Sequence, residues 1–328
     1  MQVAASAPGK LVWLGEYAVL EGAPALVMAV NRRAHVRLVE ANGRPEAHAA
    51  SRAGDDRWHI EPHVVDAVAR ALESDPRTVT AGLRAEVDSQ ALFARAGPER
   101  VKLGLGSSAA LTVAMAGALC ALAGRALPSV DALIRAHRRG QGDRGSGVDV
   151  AAALHGGVSV YRRDASGPRC DPVRLPTALQ WCCVWSGYPA STGALLAGMS
   201  SWRARSPARY EAAMATLGAV AEAGLEALAR DDADGLLSAV REYARQLALL
   251  TESSGVGITS REHHQIGAVA DACGVVYKSC GAGGGDIGVA MATDSLALAE
   301  FRRRVLRRGW QLLDLETDAR GVETRLSV

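Results

Sequence analysis

Lys102-Leu-Gly-Leu-Gly-Ser-Ser-Ala-Ala-Leu111 places two glycines and two serines directly before a long run of Ala, Leu, Val and Met. A helix N-terminus leaves backbone N–H groups unpaired and carries a partial positive charge, so an anion placed there meets several donors at once. Gly104 and Gly106 carry no Cβ that would hold a phosphate away from the backbone. Taken alone, the stretch is open to two readings, a phosphate cradle or a Gly/Ser cap on a core helix. Two familiar phosphate loops do not match it. A dinucleotide loop needs a buried strand in front and an acidic residue about 20 positions on, and a nucleotide P-loop needs Gly-Lys-Ser/Thr where this chain has Ser108-Ala-Ala.

Four other places carry residue types suited to the same chemistry. Lys10 leaves the bend Ala7-Pro8-Gly9, and Gly15-Glu16-Tyr17 follows soon after. A lysine beside a turn is ordinarily solvated, so Lys10 gains meaning only in combination. Gly140 to Asp149 holds four glycines in its first eight residues, which excludes a helix interior and marks a second shaped loop ending at Asp149. An aspartate there serves as a helix cap or as a reacting group. Lys278-Ser-Cys-Gly-Ala-Gly-Gly-Gly-Asp286 is the most glycine-rich segment. Ordering it is entropically unfavourable, and its apolar flanks argue for close approach to a ligand or another backbone. His59 and His63 flank a helix start with no further ligands near them in sequence, and they read as surface or capping histidines.

Periodicity supplies the elements that position these residues. Short strands are expected at residues 2–7 and 11–14, then 24–30 and 33–39 on either side of Asn31-Arg32, with a polar excursion at 40–57. A helix is expected from Pro62 to Glu73, a strand at 83–87, and a polar connection at 90–100. Helices follow at 107–122 and from Leu127 onward. A strand over 156–162 leads into Asp164-Ala-Ser-Gly-Pro168, the candidate domain boundary. The second half predicts a strand at 181–185, helices over 208–230, 234–250 and 260–273, strands at 275–277 and 287–292, an arginine-ended helix at 295–308, and closing strands.

With 328 residues, two domains are the expectation. Thirty-seven basic and 35 acidic residues leave a net charge of +2, too small to imply a nucleic-acid partner. Six cysteines lack zinc-type spacing, which favours a reducing, cytoplasmic setting. No basic start with an apolar core suggests a signal peptide. The most apolar stretches, such as 109–122, fall short of the roughly 20 residues that span a bilayer, so no membrane role is expected.

The order of the motifs is more specific than any one of them. Pro8-Gly-Lys10 with Gly15-Glu-Tyr17, then Gly104-Leu-Gly-Ser-Ser-Ala-Ala110, then Gly281-Ala-Gly-Gly-Gly-Asp286 resembles the three signatures of the GHMP small-molecule kinases. Gln141-Gly-x-x-Gly145-Ser-Gly-x-Asp149, Trp185-Ser-Gly-x-Pro189-Ala-Ser-Thr192 and Lys278 are most similar to the phosphomevalonate kinase branch of that family. The resemblance implies an α+β fold of two domains. Residues 1–165 would form an ATP-binding domain like the second domain of ribosomal protein S5, and residues 166–328 a ferredoxin-like domain closing over the acceptor.

It also implies roles. Lys102, Gly104, Leu105, Gly106, Ser107, Ser108 and Ala109 would wrap ATP, with Ser108 ligating Mg²⁺. Lys10 would balance charge on the transferred phosphoryl group, and Asp149 would face the acceptor. Glu16, Tyr17, Ser146, Gly147, Ser191, Thr192, Gly281, Ala282, Gly283 and Gly284 would shape the acceptor side. The implied reaction is ATP-dependent phosphorylation of a small phosphorylated acceptor, 5-phosphomevalonate. The alternatives are a mevalonate kinase-like enzyme, a mevalonate diphosphate decarboxylase, or a non-catalytic binding protein of the same fold. A phosphate monoester has its second pKa near 6, so it is already largely ionised at neutral pH and Asp149 would orient it; an alcohol would require a base. The chain departs from the branch at Asp143-Arg144, where a lysine is usual after Gln-Gly, and at His137, where an acidic metal ligand is expected nearby. Arg138, Arg139 and Arg144 either form a wall for a substrate phosphate or solvate a helix end.

Overall fold

The computed structural model describes residues 2–40, 62–71, 75, 82–96, 99–140 and 145–327. Asp143, Arg144, His59 and the polar excursion after Glu40 lie outside these residues.

Two antiparallel sheets organise the chain. The first has the order β12-β1-β2-β6-β7, with β3 pairing the far half of β2. Its strands are β1 (Gln2–Leu14), β2 (Ala25–Glu40), β3 (Leu83–Asp88), β6 (Val158–Asp164), β7 (Gly167–Val173) and β12 (Glu323–Ser327). A separate hairpin of β4 (Phe93–Ala96) and β5 (Glu99–Lys102) leads into α2 (Ser107–Leu122). Helices α1 (Pro62–Ala71), α3 (Val130–Gly140) and α4 (Val148–His155) complete this half. Ala109, Ala110 and Thr112 through Cys120 are buried on every side of α2, as an apolar run without a polar stripe requires. Val12, Val27, Val113, Met115, Val150 and Leu133 belong to the core between this sheet and its helices.

The second sheet has the order β11-β8-β10-β9, from β8 (Gln180–Trp185), β9 (Val276–Ser279), β10 (Ile287–Ala292) and β11 (Gln311–Leu313). Helices α5 (Thr192–Arg205), α6 (Pro207–Ala229), α7 (Ala233–Ser254) and α8 (Arg261–Asp271) separate β8 from β9, and α9 (Ser295–Arg307) separates β10 from β11. Strand, helices, two strands, helix, strand in this spatial order is the ferredoxin-like arrangement. All six residues of β10 are buried, because the strand is central and covered on both faces. Leu14, Trp13 and Leu26 share one core with Leu217, Leu225, Leu236 and Val289, so α6 and α7 bridge the two sheets.

The structure corrects four local expectations. Pro8-Gly9 is not a turn between two strands. It is an irregularity inside continuous β1, where the pairing jumps from Pro8↔Arg33 to Gly9↔Val30 and leaves Asn31-Arg32 looped out of β2. The polar stretch 90–100 is not a plain connection but includes part of the β4–β5 hairpin. Asp164-Ala-Ser-Gly167 is a hairpin turn within the first sheet, closed by the Asp164 carboxylate accepting from the Ser166 amide at 2.8 Å. The chain enters the second sheet only at Gln180, and we propose the domain crossing at 174–179. Finally, the 23-residue α6 is long and apolar enough by composition to cross a membrane. Its Leu217, Ala221, Leu225 and Leu228 are buried in the bridging core.

The returning C-terminal segment is anchored where β2 loses register. Arg33 donates to the buried Asp318 carboxylate at 2.5 Å and to the Gly321 carbonyl at 2.6 Å.

Candidate active site

A cleft of about 440 Å³ lies where the two halves meet. Its floor is the N-terminus of α2. Gly106 caps that helix in a left-handed conformation, φ 76°, and no side chain caps the helix start. Ala110 donates its amide to the Gly106 carbonyl, so the preceding amides of the first turn are the ones the helix leaves to a ligand. A second helix start, that of α4, reaches the same cleft behind Gly147 and carries Asp149 in its first turn.

Lys10 stands between the motifs. Its backbone amide donates to the Leu105 carbonyl at 2.8 Å and its Nζ donates to the Gly104 carbonyl at 3.1 Å. The Lys10 stem passes 3.3 Å from where a Cβ on Gly106 would lie, and the Asp149 Cβ lies 3.5 Å from the same point. Lys10 and Lys102 both line the cleft, giving it two ammonium groups beside the helix terminus.

The third glycine segment forms the opposite wall, with Gly281 and Ala282 exposed to the cleft. Gly283 and Gly284 lie behind it. Gly283 has φ +77°, and a Cβ there would lie 2.1 Å from the Ile258 carbonyl oxygen, which also accepts the Gly284 amide at 2.6 Å. Gly283→Ala therefore meets both an unfavourable backbone region and an immovable carbonyl. We expect it to destabilise the protein by about 3 kcal/mol or more, measured as a lower urea midpoint.

The remaining expected residues divide by position. Glu16 and Tyr17 line the cleft, yet their polar ends are engaged by the glycine wall. Glu16 pairs with Lys278, and the Tyr17 hydroxyl donates to the Ala282 carbonyl. Burial with the Glu16 charge nearby pushes the Tyr17 phenol well above its usual range. Ser146, Gly147, Ser191 and Thr192 also line the cleft; the Ser191 hydroxyl caps α5 by accepting from Ala194 at 3.4 Å. Ser107 and Ser108 are half-buried at its floor, whereas Leu105 and Ala109 are buried and do not line it.

Three side chains to which the sequence assigned no settled role take definite places in the structure. Asp286, with φ +58°, packs its carboxylate against Gly104 and accepts from the Ala190 amide at 2.9 Å. It thereby joins the nucleotide loop to the turn before α5. Burial raises its pKa, opposed by that amide and by the charges of Lys10 and Lys102. His137 places Nε2 3.2 Å from the Ser108 hydroxyl, from the buried face of α3 shared with Leu133 and Ile134. Arg138 lines the cleft and donates to the Ser146 carbonyl at 3.3 Å. The i, i+3 spacing of Ile134 and His137 was the visible signal. The cross-chain contacts had none.

Mg²⁺ retains several waters and takes one or two protein oxygens plus nucleotide phosphates. Among the described residues no group of three or more His, Cys, Asp or Glu could hold a metal by itself. The Ser108 hydroxyl supplies a hard oxygen donor at the cleft floor, which fits an ion whose remaining ligands are nucleotide phosphates and water.

A helix terminus with free amides, two lysines, a hydroxyl and a carboxylate in one cleft are the parts that phosphoryl transfer requires. Residues 63–157 match the family model described as the GHMP kinases N terminal domain. A phosphomevalonate kinase of a Streptomyces species is 30% identical, with 91% of this chain and 92% of that protein covered. A mevalonate kinase of Methanothermobacter thermautotrophicus is 26% identical over 98% of this chain and all of that protein. The solved Streptococcus pneumoniae phosphomevalonate kinase in complex with phosphomevalonate and AMPPNP has the same fold, with a TM-score of 0.74, 20% identity, and coverage of 96% of this chain and 99% of that one. The chain belongs to the GHMP kinase family and is an ATP-dependent phosphotransferase.

Proposed function

We propose that the protein transfers the γ-phosphoryl group of ATP to the phosphate of 5-phosphomevalonate, giving mevalonate 5-diphosphate and ADP. The observation that carries this reading is the convergence of Lys10, the Gly104–Ser108 loop and Asp149 on one cleft facing Gly281 and Ala282. The 30% identity to a phosphomevalonate kinase over most of both chains supports the choice of acceptor.

In this scheme the α2 terminus and Lys102 hold the nucleotide phosphates. An oxygen of the acceptor phosphate bonds to the γ-phosphorus while the bond to the bridging oxygen breaks, and ADP leaves with that electron pair. Lys10 neutralises charge on the transferred group, and Asp149 orients an acceptor that needs no deprotonation at neutral pH. Mg²⁺, held by Ser108, would neutralise the nucleotide phosphates.

Coupled ADP-release assays with mevalonate, 5-phosphomevalonate, mevalonate diphosphate, galactose and homoserine test the proposal. Turnover is expected with 5-phosphomevalonate at a kcat/KM at least about 100-fold above the rest, a margin that a site built for a charged group can supply. Turnover confined to another substrate would reject the acceptor, and release of carbon dioxide from mevalonate diphosphate would identify a decarboxylase.

A further inference from the structure

The glycine wall is tied to the first motif by charges that phosphoryl transfer does not use. Lys278, on β9, has a fully buried side chain whose Nζ donates to Oε1 of Glu16, itself 3% exposed. That Nζ also donates to the Ser279 carbonyl at 2.6 Å and lies 5.7 Å from the centre of the Tyr243 ring. Oε1 of Glu16 accepts a second bond, from the Gly281 amide at 3.3 Å, while Oε2 is buried without a hydrogen-bond partner among the described residues. The Tyr243 hydroxyl holds the Glu16 carbonyl at 2.7 Å. Glu16 follows β1 of the first sheet, whereas Lys278 lies on β9 of the second and Gly281 in the loop that follows β9. The link therefore spans the two halves at the cleft itself, where a Cβ on Gly281 would lie 3.4 Å from Lys10 Nζ.

We propose that Glu16 and Lys278 form a charged strap that sets Gly281 and Ala282 against Lys10, making Lys278 a positioning residue for the acceptor. The proposal rests on the acceptor-side role given to the glycine wall above. A buried ion pair contributes little stability relative to an apolar pair of similar volume, but losing one partner leaves a charge buried and unpaired. Among the described residues Glu16 already has one oxygen without a partner, so without Lys278 the Gly281 amide is the one described donor left to its charge. The strap's contribution is geometric, and a shift of about 1 Å at a reacting centre can lower turnover about 100-fold.

Full-length wild type, Lys278→Met and the double variant Glu16→Gln/Lys278→Met separate position from stability. The single variant is expected to melt roughly 10 °C lower, because it strands a buried carboxylate. The double variant, which strands no charge, is expected to melt within about 3 °C of wild type and bind ATP within about twofold. Its kcat is expected to fall about 100-fold. A double variant with wild-type kcat would overturn the proposal, and so would one that fails to fold, since the pair would then serve the fold itself. The assay uses whichever acceptor the wild type turns over. A wrong acceptor assignment therefore shows in the wild type alone, and a wrong strap only in the double variant.

Discussion

Asp149→Asn keeps the fold and nucleotide binding and lowers kcat by about 10³-fold, within the range for a positioned acid–base or orienting group. Asp149 sits in the first turn of α4, two residues after Gly147, and its Oδ1 accepts from the Val150 amide at 3.1 Å. Asparagine has the same shape and keeps an oxygen for that amide, so the helix start is preserved. What it loses is the negative charge in the cleft, which the proposed reaction sets toward the acceptor. Steady-state kinetics should show the loss in kcat with the KM for ATP little changed, the signature of an interaction made at the transition state. The rise in melting temperature on adding ATP should match wild type. Equal losses of turnover and ATP affinity would make Asp149 a structural cap.

The second large effect is at Lys10. Lys10→Met keeps most of the stem that runs beside Gly106 and removes the ammonium that donates to the Gly104 carbonyl. Charge developing on the transferred phosphoryl group then loses a preorganised cation, and kcat should fall by about 10²- to 10³-fold. Unlike Asp149→Asn, this change should also weaken ATP binding, because Lys10 stands beside the helix-terminus cradle. Lys10→Arg should not restore turnover. A guanidinium is wider and planar, and Nζ already lies 3.4 Å from where a Cβ on Gly281 would be. ATP titration by calorimetry alongside turnover separates the two losses.

The elements that proved most legible were those whose signals are local. An apolar run behind a Gly-Ser loop marked α2 at residues 107–122, and an apolar run behind a glycine cluster marked β10 at 287–292. Pro8-Gly9 misled because a Pro-Gly pair signals a turn, whereas the neighbouring pairing to β2 carries the strand straight through. Asp164-Ala-Ser-Gly167 misled in the same way. Its local turn is real, but only the pairing of β7 with β6 shows that the chain stays in the first sheet.

The site follows the same division. Sequence order pointed to Lys10, Gly104–Ala109, Asp149 and Gly281–Gly284 because each lies in a segment whose backbone chemistry is unusual. The engagements of Glu16 with Lys278, Asp286 with Ala190 and His137 with Ser108 join residues 262, 96 and 29 positions apart. No periodicity records such pairs, since they form only when segments distant in sequence pack together in the folded chain.

If the proposed acceptor is right, the group that receives the phosphoryl is itself a phosphate, and phosphorus NMR of a reaction mixture reads this out. With ATP, Mg²⁺ and 5-phosphomevalonate, the monoester resonance should be consumed and a coupled pair of diphosphate resonances should appear together with ADP. An unchanged 5-phosphomevalonate resonance, with a new monoester formed when mevalonate replaces it, would show that the acceptor is an alcohol instead.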